Sequence, residues 1–202
     1  MPRPLCPRCQ RPETQCYCSA LKEETACMDI IILQHPRESR HPLNTARILE
    51  LGIGNCQVWV GEDFSDHTHL QNTLAEKDCY LLFPGANAHA SRDILQTAMP
   101  EALIILDGTW RKAKKIYYRN PQLQQLPSIE LTELAISDYR IRKAPGAGAL
   151  STVEAAVTLL RQASQDSKAH QQLLDTFSLM IDQQINAMGQ EIFKKNYPQR
   201  NG

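Results

Sequence analysis

Four cysteines crowd the start of the chain, arranged as C-P-R-C, six intervening residues, then C-Y-C (Cys6, Cys9, Cys16 and Cys18). Four thiolates close a tetrahedral shell around Zn²⁺, and a C-x₂-C turn brings two sulfurs to one ion without strain. Such a shell leaves no open coordination position, so its expected role is structural. Metal binding would then supply folding energy to a segment too short to bury a core of its own. The C-x-C half is tighter than the usual spacing, and the competing reading is four adventitious thiols or a redox pair. Cys27, Cys56 and Cys79 lie in or beside apolar runs, where a thiol behaves as a small hydrophobe.

A second set of chemistry-bearing residues stands just after apolar runs. Gln34-His35-Pro36-Arg37-Glu38 follows the run 28–33, Pro84-Gly85 follows 80–83, and Asp107-Gly108-Thr109-Trp110 follows 102–106. Further on, a stretch rich in glycine and alanine, 144–150, ends at Leu150 and leads into Ser151-Thr152-Val153-Glu154. A loop of that kind lets a ligand approach the backbone closely and delivers the chain to a helix N-terminus, where N–H groups favour an anion. Each element also has an ordinary reading. Ser151 and Glu154 form an S-x-x-E capping box. Asp107 or Thr109 can cap a helix beginning at Trp110, and His35 before a proline can be a simple turn residue. Trp110 shares a helical face with Ala113 and Tyr117, which would put it in the core. Taken together, four such loops at strand ends favour a binding cleft.

Charge adds a third signal. Arg111, Lys112, Lys114, Lys115 and Arg119 place five cations within nine residues, with no acid and with Tyr117 and Tyr118 among them. Arg140, Arg142 and Lys143 form a second basic cluster, whereas Glu62, Asp63, Asp66, Glu76 and Asp78 make an earlier stretch acidic. A charge run is usually a solvated face. Two basic runs beside two cleft loops instead suggest a track for a phosphate backbone.

These groups need a scaffold, and the apolar pattern supplies one. Runs at 28–33, 56–60, 80–83 and 102–106, separated by helical patterns, predict a mostly parallel α/β sheet covered by helices on both faces. Weaker strands are expected at 128–131 and 139–141, and helices at 44–51, from Trp110, at 152–165 and at 169–195. In the last of these, Leu173, Phe177, Met180, Ile181, Ile185, Met188 and Ile192 recur at helical spacing, predicting one long helix packed on the sheet. Ligands of an open parallel sheet sit beyond the carboxyl ends of its strands, which is where the polar loops fall. The division expected is a Cys₄ zinc module at 1–26 and a second domain at 27–202.

The chain of 202 residues balances 22 Lys+Arg against 22 Asp+Glu, so its formal net charge is zero. That excludes a nucleic-acid binder acting through bulk charge. At 42% hydrophobic and 22% charged, the chain is neither disordered nor fibrous. No apolar run approaches the ~18–20 residues of a membrane span, and the first residues lack a secretory signal. A cytoplasmic protein without disulfides and with no membrane contact is the expectation; the sequence leaves the oligomeric state open, a monomer being favoured.

The element Asp107-Gly108-Thr109-Trp110 resembles the D-x-T-W signature of the DTW-domain family. The H-P-x-E element (His35, Pro36, Glu38) and the S-T-x-E element (Ser151, Thr152, Glu154) match companion motifs of that family, and the cysteine cluster is similar to that of its bacterial members. The resemblance runs from Cys6 into the last helix. It implies a fold related to the knotted SPOUT methyltransferases, with 27–202 as the catalytic domain. It also implies a tRNA-uridine aminocarboxypropyltransferase. Such enzymes use S-adenosylmethionine to place a 3-amino-3-carboxypropyl group on N3 of a uridine, in the tRNA variable loop for bacterial members, and release methylthioadenosine.

On this reading the catalytic residues are Asp107, Thr109 and Trp110, with Asp107 as the base for the N3 imide proton. An ordinary Asp, with pKa ~3.9, is a weak base for an imide, and burial against Trp110 would raise it. The alternatives for Asp107 are binding the donor's ammonium or capping the helix. Donor contacts are expected from Pro84, Gly85, Leu106, Asp107, Gly108, Thr109, Leu150, Ser151 and Thr152, and tRNA contacts from His35, Glu38, Arg111, Lys112, Lys114, Lys115, Arg119, Arg140 and Arg142. Two other functions stay open: a SPOUT-type RNA methyltransferase, and a non-catalytic zinc-ribbon RNA-binding protein.

Overall fold

The computed structural model of the chain describes residues 4–85, 87–132, 137, 139–141 and 150–197. At its centre lie β1 (Asp29–Gln34) and β5 (Ala102–Asp107), paired in parallel. Their side chains alternate between two cores. Ile30, Ile32, Leu103 and Ile105 enter one, while Ile31, Leu33, Ile104 and Leu106 enter the other. Two buried faces explain why the runs are continuously apolar rather than alternating. The remaining strands are β2 (Cys56–Val60), β3 (Cys79–Leu82), β4 (Ala88–Ala90) and β6 (Ser128–Glu130), and the order β2-β1-β5-β3-β6-β4 is parallel throughout.

Helices α1 (Ala46–Gly52), α6 (Thr152–Ser164) and α7 (Gln171–Met188) fill the first core, with Ile48, Leu49, Val157, Leu160, Phe177 and Ile181 buried there, and α3 (Ser91–Thr97) packs Ile94 and Leu95 against it. The opposite core takes Leu70 from α2 (Thr68–Glu76), Ala113 and Ile116 from α4 (Trp110–Arg119) and Leu123 from α5 (Pro121–Gln124). This arrangement creates a switch point. The chain leaves β1 through α1 to β2 on one side, and leaves β5 through α4 and α5 to β6 on the other, the helices α1 and α4 covering opposite faces. A crevice therefore opens above the carboxyl ends of β1 and β5, the place where open α/β sheets hold ligands.

Several elements differ from expectation. Residues 140 and 141 form a turn instead of strand, with Ile141 buried. β4 is an added edge strand of three residues whose weak β-formers, Ala88, His89 and Ala90, gave no pattern. The helical stretch expected to run unbroken stops at Gly189, whose φ of +87° ends α7 before a short α8 (Gln190–Asn196). α7 itself packs chiefly against α1 and α6 rather than directly on the sheet, and Ile192 beyond the break is exposed. Arg142 and the glycine-rich stretch up to 149 lie outside the described residues.

The amino-terminal segment is tied closely to this body. Cys9 and Tyr17 are buried in the same core cluster as α1, α6 and α7. Glu24 forms a parallel bridge to Ile53, and the backbone of Lys22 exchanges hydrogen bonds with the Gln172 amide. No helix among the described residues is long and apolar enough to cross a membrane.

Candidate active site and metal site

The register that aligns β1 with β5 sets Gln34 opposite Asp107, so the two polar residues ending apolar strands meet at the switch point. Both are buried. The Gln34 amide donates to Asp107 Oδ2 at 2.8 Å and to Asn44 Oδ1 at 3.0 Å, which fixes its orientation. The Thr152 hydroxyl donates to Asp107 Oδ1 from the first turn of α6. Asp107 is thus a carboxylate held from both sides by polar donors, not one set against bare apolar rings, and the cap of α4 falls to Thr109, whose side chain makes no capping bond.

Above this pair lies a cavity of about 900 Å³. Its lining includes Pro84, Leu106, Asp107, Gly108, Thr109, Trp110, Leu150, Ser151 and Thr152, so nearly all the residues expected to contact a donor converge there. Gly85 is exposed and stands outside the lining. Trp110 is 44% exposed and packs on Phe83 with ring centroids 6.0 Å apart, so it forms a wall of the cavity and not part of the core. The capping reading of Ser151 and Glu154 holds. The Ser151 hydroxyl and N–H both donate to Glu154 Oε2, at 2.6 and 2.7 Å, and Glu154 N–H bonds back to Ser151. Both S-T-x-E hydroxyls are thereby spent inside the protein, one on the cap and one on Asp107. What remains for a ligand is the amino end of α6, whose first N–H groups have no intrahelical acceptor.

The H-P-x-E element divides. Glu38 lines the cavity and pairs with Lys112. His35 is buried, its Nε2 2.8 Å from Glu62 and its Nδ1 accepting from the Arg37 N–H at 3.1 Å, so both ring nitrogens are engaged in fastening loops together. Glu62 is a hub. It also receives Lys115 at 2.6 Å and Arg119 at 2.8 Å. Bonding from Lys115, followed by the charges of Lys115, His35 and Arg119, holds its carboxyl below the ordinary range. Buried Asn120 supports the hub, accepting from Phe64 N–H and donating to the Glu62 carbonyl. The acidic stretch is therefore not remote from the basic helix. Lys112, Lys115 and Arg119 are ion-paired within the chain, the last two sharing Glu62, and Arg140 pairs with Asp182 at 2.8 Å.

Sequence reasoning assigned no role to Gln34, Asn44, Glu62 or Phe83. A glutamine directly after the apolar run 28–33 was the available signal for the first. Nothing local could have paired Glu62 with residues 27 and more positions away.

None of the four clustered cysteines lines the cavity; the Sγ atoms of Cys6, Cys9, Cys16 and Cys18 all lie within 4.8 Å of one another. Cys6 to Cys18 and Cys9 to Cys16 each measure 3.8 Å, the edge of a tetrahedron with metal–sulfur bonds of ~2.3 Å. The Cys18 N–H points at the Cys16 sulfur from 3.4 Å, and Gln10 adopts a left-handed φ of 60° to close the first knuckle. N–H groups of Cys9 and then Arg8 bring the Cys6 thiol down to about 6, while burial pushes Cys18 up to about 12. The set could hold one metal ion, with all four positions filled by protein.

A wholly parallel sheet, with a cavity at its switch point floored by a fixed carboxylate, defines an α/β ligand-binding protein. The chain belongs to the DTW-domain family, whose model matches residues 3–185. It is 35% identical over 191 residues to tRNA-uridine aminocarboxypropyltransferase 2 of Drosophila melanogaster, covering 91% of this chain and 76% of that protein. The protein of the same name from Mus musculus is 30% identical over 208 residues, 99% of this chain and 70% of its own length. tRNA-uridine aminocarboxypropyltransferase A of Arabidopsis thaliana is 26% identical over 197 residues, 82% and 75% of the two chains. No solved structure matches the chain.

Proposed function

We propose that the chain is an S-adenosylmethionine-dependent tRNA-uridine aminocarboxypropyltransferase. The observation that carries this reading is the Asp107 carboxylate, fixed by Gln34 and Thr152 on the floor of the cavity inside the D-x-T-W element. The cavity suits the donor. Leu82, Phe83, Ile105, Leu106 and Ile129 offer apolar contact for an adenosine, and the amino end of α6 favours a carboxylate. The donor supplies an electrophilic methionine γ-carbon beside a sulfonium. Asp107 takes the imide proton from uridine N3, the freed nitrogen pair forms the N3–Cγ bond, and the Cγ–S bond breaks with its electrons left on sulfur in methylthioadenosine. Trp110 and the Glu38–Lys112 pair wall the cavity and orient the two substrates, so positioning decides between γ-carbon and methyl.

Replacing Asp107 with Asn keeps an acceptor oxygen for the Gln34 amide and sets an NH₂ toward the Thr152 hydroxyl, which can accept from it, but removes the base. Donor and tRNA should bind within about threefold of wild type, while transfer falls by about 10²–10⁴-fold. Near-wild-type turnover would remove Asp107 from the proton transfer. Product analysis separates the reactions, because methylthioadenosine marks aminocarboxypropyl transfer and S-adenosylhomocysteine marks methylation.

Three finer readings go with this one. The metal of the Cys₄ cluster is Zn²⁺, in keeping with four thiolates at tetrahedral spacing. The fold is SPOUT-like and knotted, supported by the parallel sheet and by the return of the chain past the cavity at Leu131, Tyr139, Ile141 and Leu150. The target uridine lies in the tRNA variable loop, and nucleoside mass analysis of RNA fragments after reaction tests that position.

A further inference from the structure

Helix α4 carries two cationic flanks with different fates. At about 100° per residue, Ala113, Ile116 and Tyr117 fall on the core side, and Lys112, Lys115 and Arg119 on one flank. That flank is paired, with Glu38 and Glu62 as partners. The opposite flank holds Trp110, Lys114 and Tyr118 at i, i+4 and i+8, with Arg111 beside them. Arg111 and Lys114 make no ion pair among the described residues, and the Trp110 and Tyr118 side chains are 44% and 67% exposed. The aromatic contact is unbroken. Trp110 meets Phe83, Phe83 stacks on Tyr117 at 4.8 Å, and Tyr117 meets Tyr118 edge-on at 5.3 Å. The series starts in the cavity wall and ends at an open ring.

Exposed aromatic faces alternating with unneutralised cations are what single-stranded nucleic acid requires, rings for bases and cations for phosphates. The core of a protein–protein contact is instead depleted of lysine. Resting on the reading that the substrate is RNA, we propose that this flank of α4 is the stacking platform for the nucleotides flanking the reactive uridine. A neighbouring base stacks on Tyr118, Lys114 and Arg111 hold the phosphates, and the strand crosses Trp110 into the cavity. Trp110 to Tyr118 rises roughly 12 Å along the helix, enough for a short run of nucleotides. Stacking tolerates any base, so the platform sets strand path and not sequence.

The test measures tRNA affinity, donor affinity and transfer for wild type, Tyr118→Ala, Tyr118→Phe, Lys114→Ala and Lys115→Ala. Tyr118→Ala should weaken tRNA binding about tenfold or more with donor affinity unchanged, and Tyr118→Phe should stay near wild type. Lys114→Ala should reduce the salt slope of binding by about one, and Lys115→Ala should barely move it. Wild-type RNA affinity in Tyr118→Ala, or equal effects of Lys114→Ala and Lys115→Ala, overturns the proposal. So does a change of oligomeric state in Tyr118→Ala with RNA affinity intact, which would mark the stripe as a contact between copies. Tight RNA binding by wild type without transfer overturns the proposed reaction, while the Tyr118→Ala loss still supports the platform; no RNA binding by wild type overturns both.

Discussion

Gly108 separates the fixed carboxylate from the helix that walls the cavity. Its φ is +158°, and a Cβ there would lie 2.9 Å from the Lys112 Cβ and 3.6 Å from that of His35. Neither neighbour can swing away, since Lys112 is held at its own helix backbone and His35 is buried against Glu62. Gly108→Ala should therefore cost about 1–3 kcal/mol, seen as a lower urea midpoint, and should weaken donor binding by displacing Thr109 and Trp110. Gln34→Ala removes one of the two side-chain donors that reach Asp107 among the described residues, and leaves Asn44 Oδ1 with the Arg47 N–H alone; transfer should fall at least tenfold in single-turnover assays while tRNA affinity holds. Asp107, Thr109 and Trp110 were legible in the sequence because a polar tetrad breaks the most hydrophobic run of the chain. The role of Gln34 was not, because it comes from register across two strands 73 positions apart. The partner of His35 was hidden for a related reason: Glu62 arrives from the loop after a different strand.

Among elements, the clamp of Glu62 on α4 has a pH signature. Its carboxyl lies below the ordinary range in the folded protein, first through Lys115. A lowered folded value means the stabilisation is complete above the ordinary glutamate pKa of ~4.3 and is lost as pH falls through the folded value. Glu62→Gln should thus have a lower urea midpoint than wild type at pH 7, with the difference shrinking as pH falls below the ordinary glutamate range and through the folded value. An undiminished difference at low pH would assign the effect to packing instead. β1 and β5 could be read from composition, because burial on both faces writes itself as a nearly continuous apolar sequence. β4 could not, since Ala88–Ala90 is held by pairing with β6 and by nothing in its residues. The break at Gly189 was obscured by apolar spacing that continues beyond it to Ile192, an exposed side chain.

For the whole molecule, the cysteine cluster and the main core share residues. Cys9 and Tyr17 are buried among side chains of α1, α6 and α7. Chelation or Cys9→Ser should therefore lower the melting temperature of the entire fold in one transition, followed by circular dichroism, instead of releasing a separate tail. A two-step melt in which the α/β body keeps its midpoint would show the first 26 residues to be independent. The zero net charge likewise acquires a structural meaning: acids are spent on one flank of α4, and the opposite flank keeps its cations.

The tie between Lys22 and Gln172 spans 150 positions, and β1 must wait for β5 to complete its pairing. At roughly 5–20 residues per second, the ribosome needs on the order of 8–30 s to deliver the helix that receives the amino-terminal segment. Through that interval the part of the protein made first lacks α6 and α7 to pack on, and its four thiols are open to whatever ions or oxidants the cell offers. Metal supply during translation, not afterwards, should then set the yield of folded protein, and pulse-labelled chains made under metal depletion should be degraded faster than mature chains exposed to the same depletion.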